Sequence, residues 1–159
     1  PVPNGFDPVV DLRLTMDPSV YDKMRAEATY EVWSPFESAV ITTTSVPDDV
    51  LLSLPSAGRI RPKGNSNHFL SVCKDLKSMP YAIEWDHTNK SQTLFGVERL
   101  FLRHGETGSY AKEWTVHRML AKFGLPHMRT RHGRLYINDE FMGLYTMMEA
   151  PDQMYVYQR

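Results

Sequence analysis

The chain carries a single cysteine, Cys73, in 159 residues. That excludes an internal disulfide and any zinc cluster built on several thiolates. The ordinary reading of such a residue is a small buried hydrophobe rather than a reactive thiol. No apolar run approaches the roughly 20 residues that would span a bilayer. Neither sign of charge dominates, with 18 Lys and Arg against 19 Asp and Glu. That balance argues against a chain built around nucleic acid or another polyanion. Internal repeats and low-complexity tracts are also missing. The first residue is Pro1 and not Met, so a processed or partial product is expected.

What remains is an ordinary globular mixture, 42% hydrophobic and 23% charged, which argues against disorder. The length suits one domain, or one lobe of a larger one. Residues 1–8 hold three prolines and a glycine and read as an extended lead-in, with the organised part over 9–159. Val10, Leu12 and Leu14 alternate as in a strand. Asp17-Pro18-Ser19 then reads as a helix start, with Asp17 as N-cap and Pro18 in the first helical position. Residues 29–61 look mostly β, including Tyr30 to Trp33, Ala39 to Thr44 and Gly58 to Arg61, with a turn around Pro47. Tyr81 to Trp85 and Arg99 to Arg103 are further strands, separated by a polar turn over Asp86 to Ser91.

Ser109 to Phe123 predicts the main helix, with Trp114, Val116, Met119, Leu120 and Phe123 as its apolar side and Gly124 as its terminator. Beyond it, Met128 to Arg131 and Arg134 to Ile137 read as a hairpin about His132-Gly133. A second turn at Asn138-Asp139-Glu140 leads into Phe141 to Met148. The fold class is α+β: a mainly antiparallel sheet with one main helix.

Three features invite a chemical reading. Phe101-Leu102-Arg103-His104-Gly105-Glu106-Thr107 reproduces the strand-then-RHGE pattern of histidine phosphatases, in which a histidine nucleophile sits at a strand end among arginines. Only 55 residues follow His104, too few for the rest of that fold. The six histidines (His68, His87, His104, His117, His127 and His132) show no metal-ligand spacing and read as scattered surface residues. The loop Arg61 to Asn67 sets Arg61 and Lys63 beside Gly64, Asn65 and Ser66, the donors an anion such as phosphate wants. Its bland alternative is a hairpin loop in which Asn and Ser satisfy only their own backbone.

That loop gains weight from its surroundings. Arg59-Ile60-Arg61-Pro62-Lys63-Gly64-Asn65-Ser66 resembles the R-x-K-G-N-S-S segment of the CotH family of kinase-like spore coat proteins and relatives. Lys77 to Asp86 is similar to that family's K-x-P-Y-x-L-x-F-D strand, and Leu94 to Leu100 to its F-G-L-K-x-L turn. Ser109 to Glu113 with Gly124-Leu125-Pro126 matches its S-x-x-R-E … G-x-P helix. Leu135 to Tyr145, with Glu149 and Asp152, matches V-x-I-N-G-x-Y-x-G-L-Y-x-x-x-E-x-x-D. Asp139 replaces the family's glycine in the I-N-G turn, and Thr107-Gly108-Ser109 replaces its D-P-S helix entry. The resemblance spans roughly residues 9 to 159.

It implies the N-terminal lobe of an atypical protein-kinase-like fold, with ATP and magnesium bound at a junction with a second lobe. In such lobes a loop covers the phosphates and a strand lysine pairs with a helix glutamate. Arg61, Lys63, Gly64, Asn65 and Ser66 would then line the loop. Lys77 is the first choice for the phosphate-facing lysine, Lys63 the second, and Glu113 the helix partner. The acids that orient the acceptor and hold the metal are expected after Glu149–Asp152, so catalysis by this chain alone is not expected. The expected role is a non-catalytic, structural or interaction component of a surface or extracellular assembly, with other protein chains or a C-terminal lobe as partners. The alternative is the N-lobe of an active ATP-dependent protein kinase; a histidine phosphatase ranks last. Asn89-Lys90-Ser91 is a candidate glycosylation sequon in keeping with an extracellular setting.

Overall fold

The computed structural model describes residues 9–27, 32–43, 50–54, 58–63, 77, 79–87, 89–104 and 110–151. Among them are nine strands and two helices. The strands are β1 (Val10–Thr15), β2 (Ser34–Phe36), β3 (Ser38–Thr43), β4 (Val50–Leu54) and β5 (Gly58–Pro62), then β6 (Tyr81–Glu84), β7 (Arg99–Arg103), β8 (Thr130–Ile137) and β9 (Glu140–Glu149). The helices are α1 (Pro18–Glu27) and α2 (Ala111–Lys122). All nine strands join one sheet in the order β2-β5-β6-β7-β9-β8-β1-β3-β4. Every pairing is antiparallel except that of β1 with β8. The expected α+β, mainly antiparallel arrangement therefore contains one parallel joint, which makes the sheet mixed.

A flat sheet of this width would span roughly 40 Å at about 4.8 Å per strand. Yet Phe36 on one edge strand and Leu54 on the other belong to a single buried cluster with Leu12, Ile60, Trp85 and Leu135. The sheet therefore curls, and one of its faces closes over the core. The period-two pattern decides which side chains go inside: Val10, Leu12 and Leu14 on β1, Leu100 and Leu102 on β7, Leu135 and Ile137 on β8. Trp85 is fully buried and meets Phe36 edge-on at 5.7 Å.

The helix α1 begins as its residues dictate. Asp17 Oδ1 accepts hydrogen bonds from the backbone N–H of Ser19 (2.8 Å) and Val20 (3.3 Å) and from the Ser19 hydroxyl, and these hold its carboxyl below the usual range. Tyr21 and Met24 enter the core.

Two expectations are corrected. The chain does not turn at His132-Gly133; β8 runs straight through both. Gly133 lacks a side chain because Met147 packs across its position and the Val10 carbonyl lies 3.1 Å from where a Cβ would be. The true turn is Asn138-Asp139, with φ of 49° and 64°, a type I′ pattern in which Asn and Asp both tolerate the left-handed region. Second, the apolar side of the main helix does not enter the core. No residue of α2 is buried, and Met119 and Phe123 are 53% and 73% exposed. The helix does end as expected. Gly124 at φ 66° donates to the Ala121 carbonyl and Leu125 to that of Leu120, a Schellman pair. Residues 1–8, Tyr30, Pro47, Cys73 and Ser109 lie outside the described residues.

Gly58 tests the packing of the core edge. A Cβ there would run into the Phe36 ring and sit 2.7 Å from the Glu84 carbonyl oxygen, a backbone atom that cannot swing away. Gly58→Ala is expected to lower stability by about 2 kcal/mol, the cost of overpacking, read as a shifted urea midpoint at unchanged slope.

Candidate functional site

Because the core claims one face of the sheet, alternate residues on β5 and β7 are turned outward. Arg59, Arg61 and Lys63 follow one another at period two, and so do Arg99, Phe101 and Arg103. Strand β6 lies between β5 and β7, with Arg61 opposite Ala82 and Ala82 opposite Phe101. Small Ala82 leaves the two basic rows close together.

Half of this charge is spent on structure. Glu84 is 4% exposed and accepts hydrogen bonds from Arg59 and Arg99. Burial alone would raise its carboxyl, but the two guanidinium groups outweigh that and hold it below the usual carboxylate range. Trp33 covers the outer side, its ring 4.6 Å from the Arg59 guanidinium and 5.0 Å from that of Arg61.

The other half is not neutralised. Lys63 Nζ lies 4.4 Å from the centre of the Phe101 ring, within electrostatic reach of Arg61, Arg103 and Glu113. Glu113, on the first turn of α2, pairs with Arg103 at 3.5 Å. Lys63 thus faces two further cations and one carboxylate, which is itself paired with Arg103. Desolvation first, and then repulsion from Arg103 and Arg61, lower the Lys63 ammonium below its ordinary value; Glu113 opposes this. Arg61 Nε is buried and has no hydrogen-bond partner among the described residues. A group of donors in this state accepts an anion with several oxygens well.

Helix α2 is held over this face by polar contacts. His132 Nε2 donates to the Tyr110 carbonyl at 2.9 Å, the Thr146 hydroxyl donates to the same oxygen at 3.0 Å, and Trp114 lies against the His132 ring at 5.8 Å.

The profile of the CotH family, described as CotH kinase protein, matches residues 60–159, more than half of the chain. The chain belongs to the CotH family. A comparison with curated proteins gave no match. The CotH match runs through the RHGE tetrapeptide. There His104 Nε2 meets the Tyr110 hydroxyl at 3.0 Å, and its ring lies edge-on to Tyr110 and Tyr145. Arg103 and His104, being consecutive on the chain, serve different contacts: one the Glu113 pair, the other the tyrosines.

The sequence candidates separate on this CotH scaffold. Arg61, Lys63 and Glu113 come together. Lys77 pairs instead with Glu140 at 3.1 Å, where Tyr21 and Arg25 also bind the carboxylate and lower it. Gly64, Asn65, Ser66 and Asp152 lie outside the described residues. Asn89 is exposed, and its Oδ1 accepts from the Ser91 N–H at 3.1 Å and hydroxyl at 2.7 Å. Glu149 is 3% exposed and bound by Arg129 at 2.8 Å. No group of three His, Cys, Asp or Glu that could hold a metal occurs among the described residues, and no described helix is long and apolar enough to cross a membrane. Sequence reasoning missed Arg103 and Phe101. Their signal was the Arg-x-Phe-x-Arg alternation, which matches Arg-x-Arg-x-Lys on a strand two positions away in the sheet.

The perturbation of Lys63 has a definite sign. Its folded-state pKa lies below its unfolded one near about 10.4. The charged form therefore costs stability at neutral pH, and the cost fades as pH rises through the folded value. In an NMR titration, Lys63 is expected to lose its proton below the ordinary lysine value, and Glu113→Gln to move it lower still. A Lys63 that titrates at or above the ordinary lysine value would contradict this environment.

Proposed function

We propose that the outward face of β5, β6 and β7, with α2, holds the phosphates of a nucleoside triphosphate, as the nucleotide-bearing part of a kinase-like site. The observation that carries this is the placing of Arg61 and Lys63 across β6 from Phe101 and Arg103, where Lys63 lies over the Phe101 ring and Glu113 pairs with Arg103. Chain order supports it as well. In protein kinases a loop between two strands covers the phosphates, and a cation on the following strand pairs with a glutamate of the next helix. Here the segment containing Gly64, Asn65 and Ser66 links β5 to β6, Arg103 ends the following strand, and Glu113 opens the next helix. An arginine would take the place of the usual lysine, and Lys63, not Lys77, would stand beside it.

The described residues fit phosphate and not magnesium. Glu84 and Glu113 are both committed to cations, and the described residues hold no cluster of acids on this face that could bind a metal ion. Neutralisation of the phosphates is what magnesium would supply in a kinase reaction, and Arg61, Lys63 and Arg103 would orient them. Transfer would require the acids that the family resemblance puts beyond Glu149, so the face by itself binds without catalysing.

A second reading, a structural module within a surface or extracellular assembly, has its own support. Val116, Met119, Phe123 and Leu125 expose apolar side chains around α2 and the turn after it, a surface suited to burial against another protein. Exposed Asn89 in its sequon agrees with an extracellular location.

Calorimetric titration with ATP and magnesium separates the two. Under the nucleotide reading, Lys63→Ala and Arg103→Ala each weaken binding at least about tenfold, as loss of a charge-assisted contact would, while Lys77→Ala leaves it unchanged. Absence of binding at millimolar ATP, together with concentration-dependent self- or partner association in sedimentation, would favour the structural module.

A further inference from the structure

The core face of the sheet carries a charge of its own. On β8 the residues turned inward are Arg131, Gly133, Leu135 and Ile137, and Arg131 stands opposite buried Met147 of β9. Three of the four belong in a core. Arg131 does not, and among the described residues its side chain makes no hydrogen bond, ion pair or ring contact.

Arg131 lines a cavity of about 350 Å³ at the end of the curled sheet, whose walls are Val10, Ile41, Leu94, Val97, Leu100 and Met147. This volume falls in the range of small-molecule pockets, which pair apolar walls with a few polar groups. The two other charged residues at the cavity cancel each other. Arg129 binds Glu149 through two guanidinium nitrogens, at 3.3 and 2.8 Å, and also donates to the Phe95 and Gly96 carbonyls at 2.8 and 3.0 Å. What the cavity offers is apolar surface and the single positive charge of Arg131. A planar guanidinium suits a carboxylate in two-point contact, and one uncompensated cation suits one negative charge, not a polyphosphate.

We propose that this cavity binds an apolar monocarboxylate, with the hydrocarbon against Leu100 and Met147 and the carboxylate on Arg131. The site lies on the opposite face of the sheet from Lys63 and Phe101, since Met147 and Met148 are consecutive residues of β9 and Met148 is the one opposite Phe101. It stands whether or not nucleotide binds there.

Decanoate titrated calorimetrically into the intact chain tests this, with decanol as the uncharged control. Decanoate is expected to bind at one site at least about tenfold more tightly than decanol, one charge-assisted contact being worth about that factor. Arg131→Lys should keep part of this preference. Arg131→Met should abolish it while leaving the thermal midpoint unchanged or raised, which a structural arginine would not do. Equal affinity for decanoate and decanol would overturn the proposal, as would full binding by the Arg131→Met variant, its destabilisation, or competition of decanoate with ATP.

Discussion

The parallel joint between β1 and β8 is the constraint on which the rest of the molecule depends. Among the described strands it is the one pairing that joins β1, β3 and β4 to the other six, and it joins residues more than a hundred positions apart. Such a joint receives no help from a short hairpin, so its register must be specified by side chains. Two devices do so. At one end Asn138 of the β8–β9 turn accepts from the Met16 N–H at 2.8 Å and donates its own N–H to the Leu14 carbonyl at 2.9 Å. Along the strand, buried Asp11 receives two hydrogen bonds from Arg134, at 2.7 and 2.9 Å. Each charged bond of this kind contributes about 1.5–3 kcal/mol, and a slip of one residue would turn Leu12 and Leu135 out of the core.

Curling the sheet around one core assigns every strand residue to an inside or an outside. The outside of β5 to β7 collects basic residues, and the fold resolves their repulsion unequally. Glu84 absorbs Arg59 and Arg99, whereas among the described residues Lys63 stands near Arg61 and Arg103 with Glu113 as the opposing carboxylate. The same geometry explains why α2 is so exposed. It rests on a polar surface, held by the Tyr110 carbonyl and the Trp114 ring, so its apolar residues have no core to enter. The inside is not uniform either, because Arg131 interrupts an otherwise apolar row at the cavity.

Much of this was legible residue by residue. The alternation of Val10, Leu12 and Leu14, the Asp17-Pro18 helix start, the Gly124 terminator and the Asn138-Asp139 turn are local signals, and each names its own structure. The family blocks from Arg59 onward were legible for the same reason, as short runs in a fixed order. Where a local signal had two meanings, neighbours distant in sequence chose between them. His132-Gly133 has turn chemistry, but Gly133 is there to make room for Met147. The periodicity of α2 promised a buried side, but the surface beneath it is polar. Lys77 sits in a family-like block, but Glu140, over sixty residues away, holds its ammonium.

The sequence by itself determined the Asp17-Pro18 helix start, the Gly124 terminator, the Asn138-Asp139 turn and the alternation of strands such as β1, because propensity and period act over a few residues. Only the tertiary structure decided that Arg103 stands beside Lys63 and Glu113, that Lys77 does not, and that Arg131 faces a cavity. Those outcomes depend on strand order and register, which are set by contacts between residues far apart in the chain and leave no local trace.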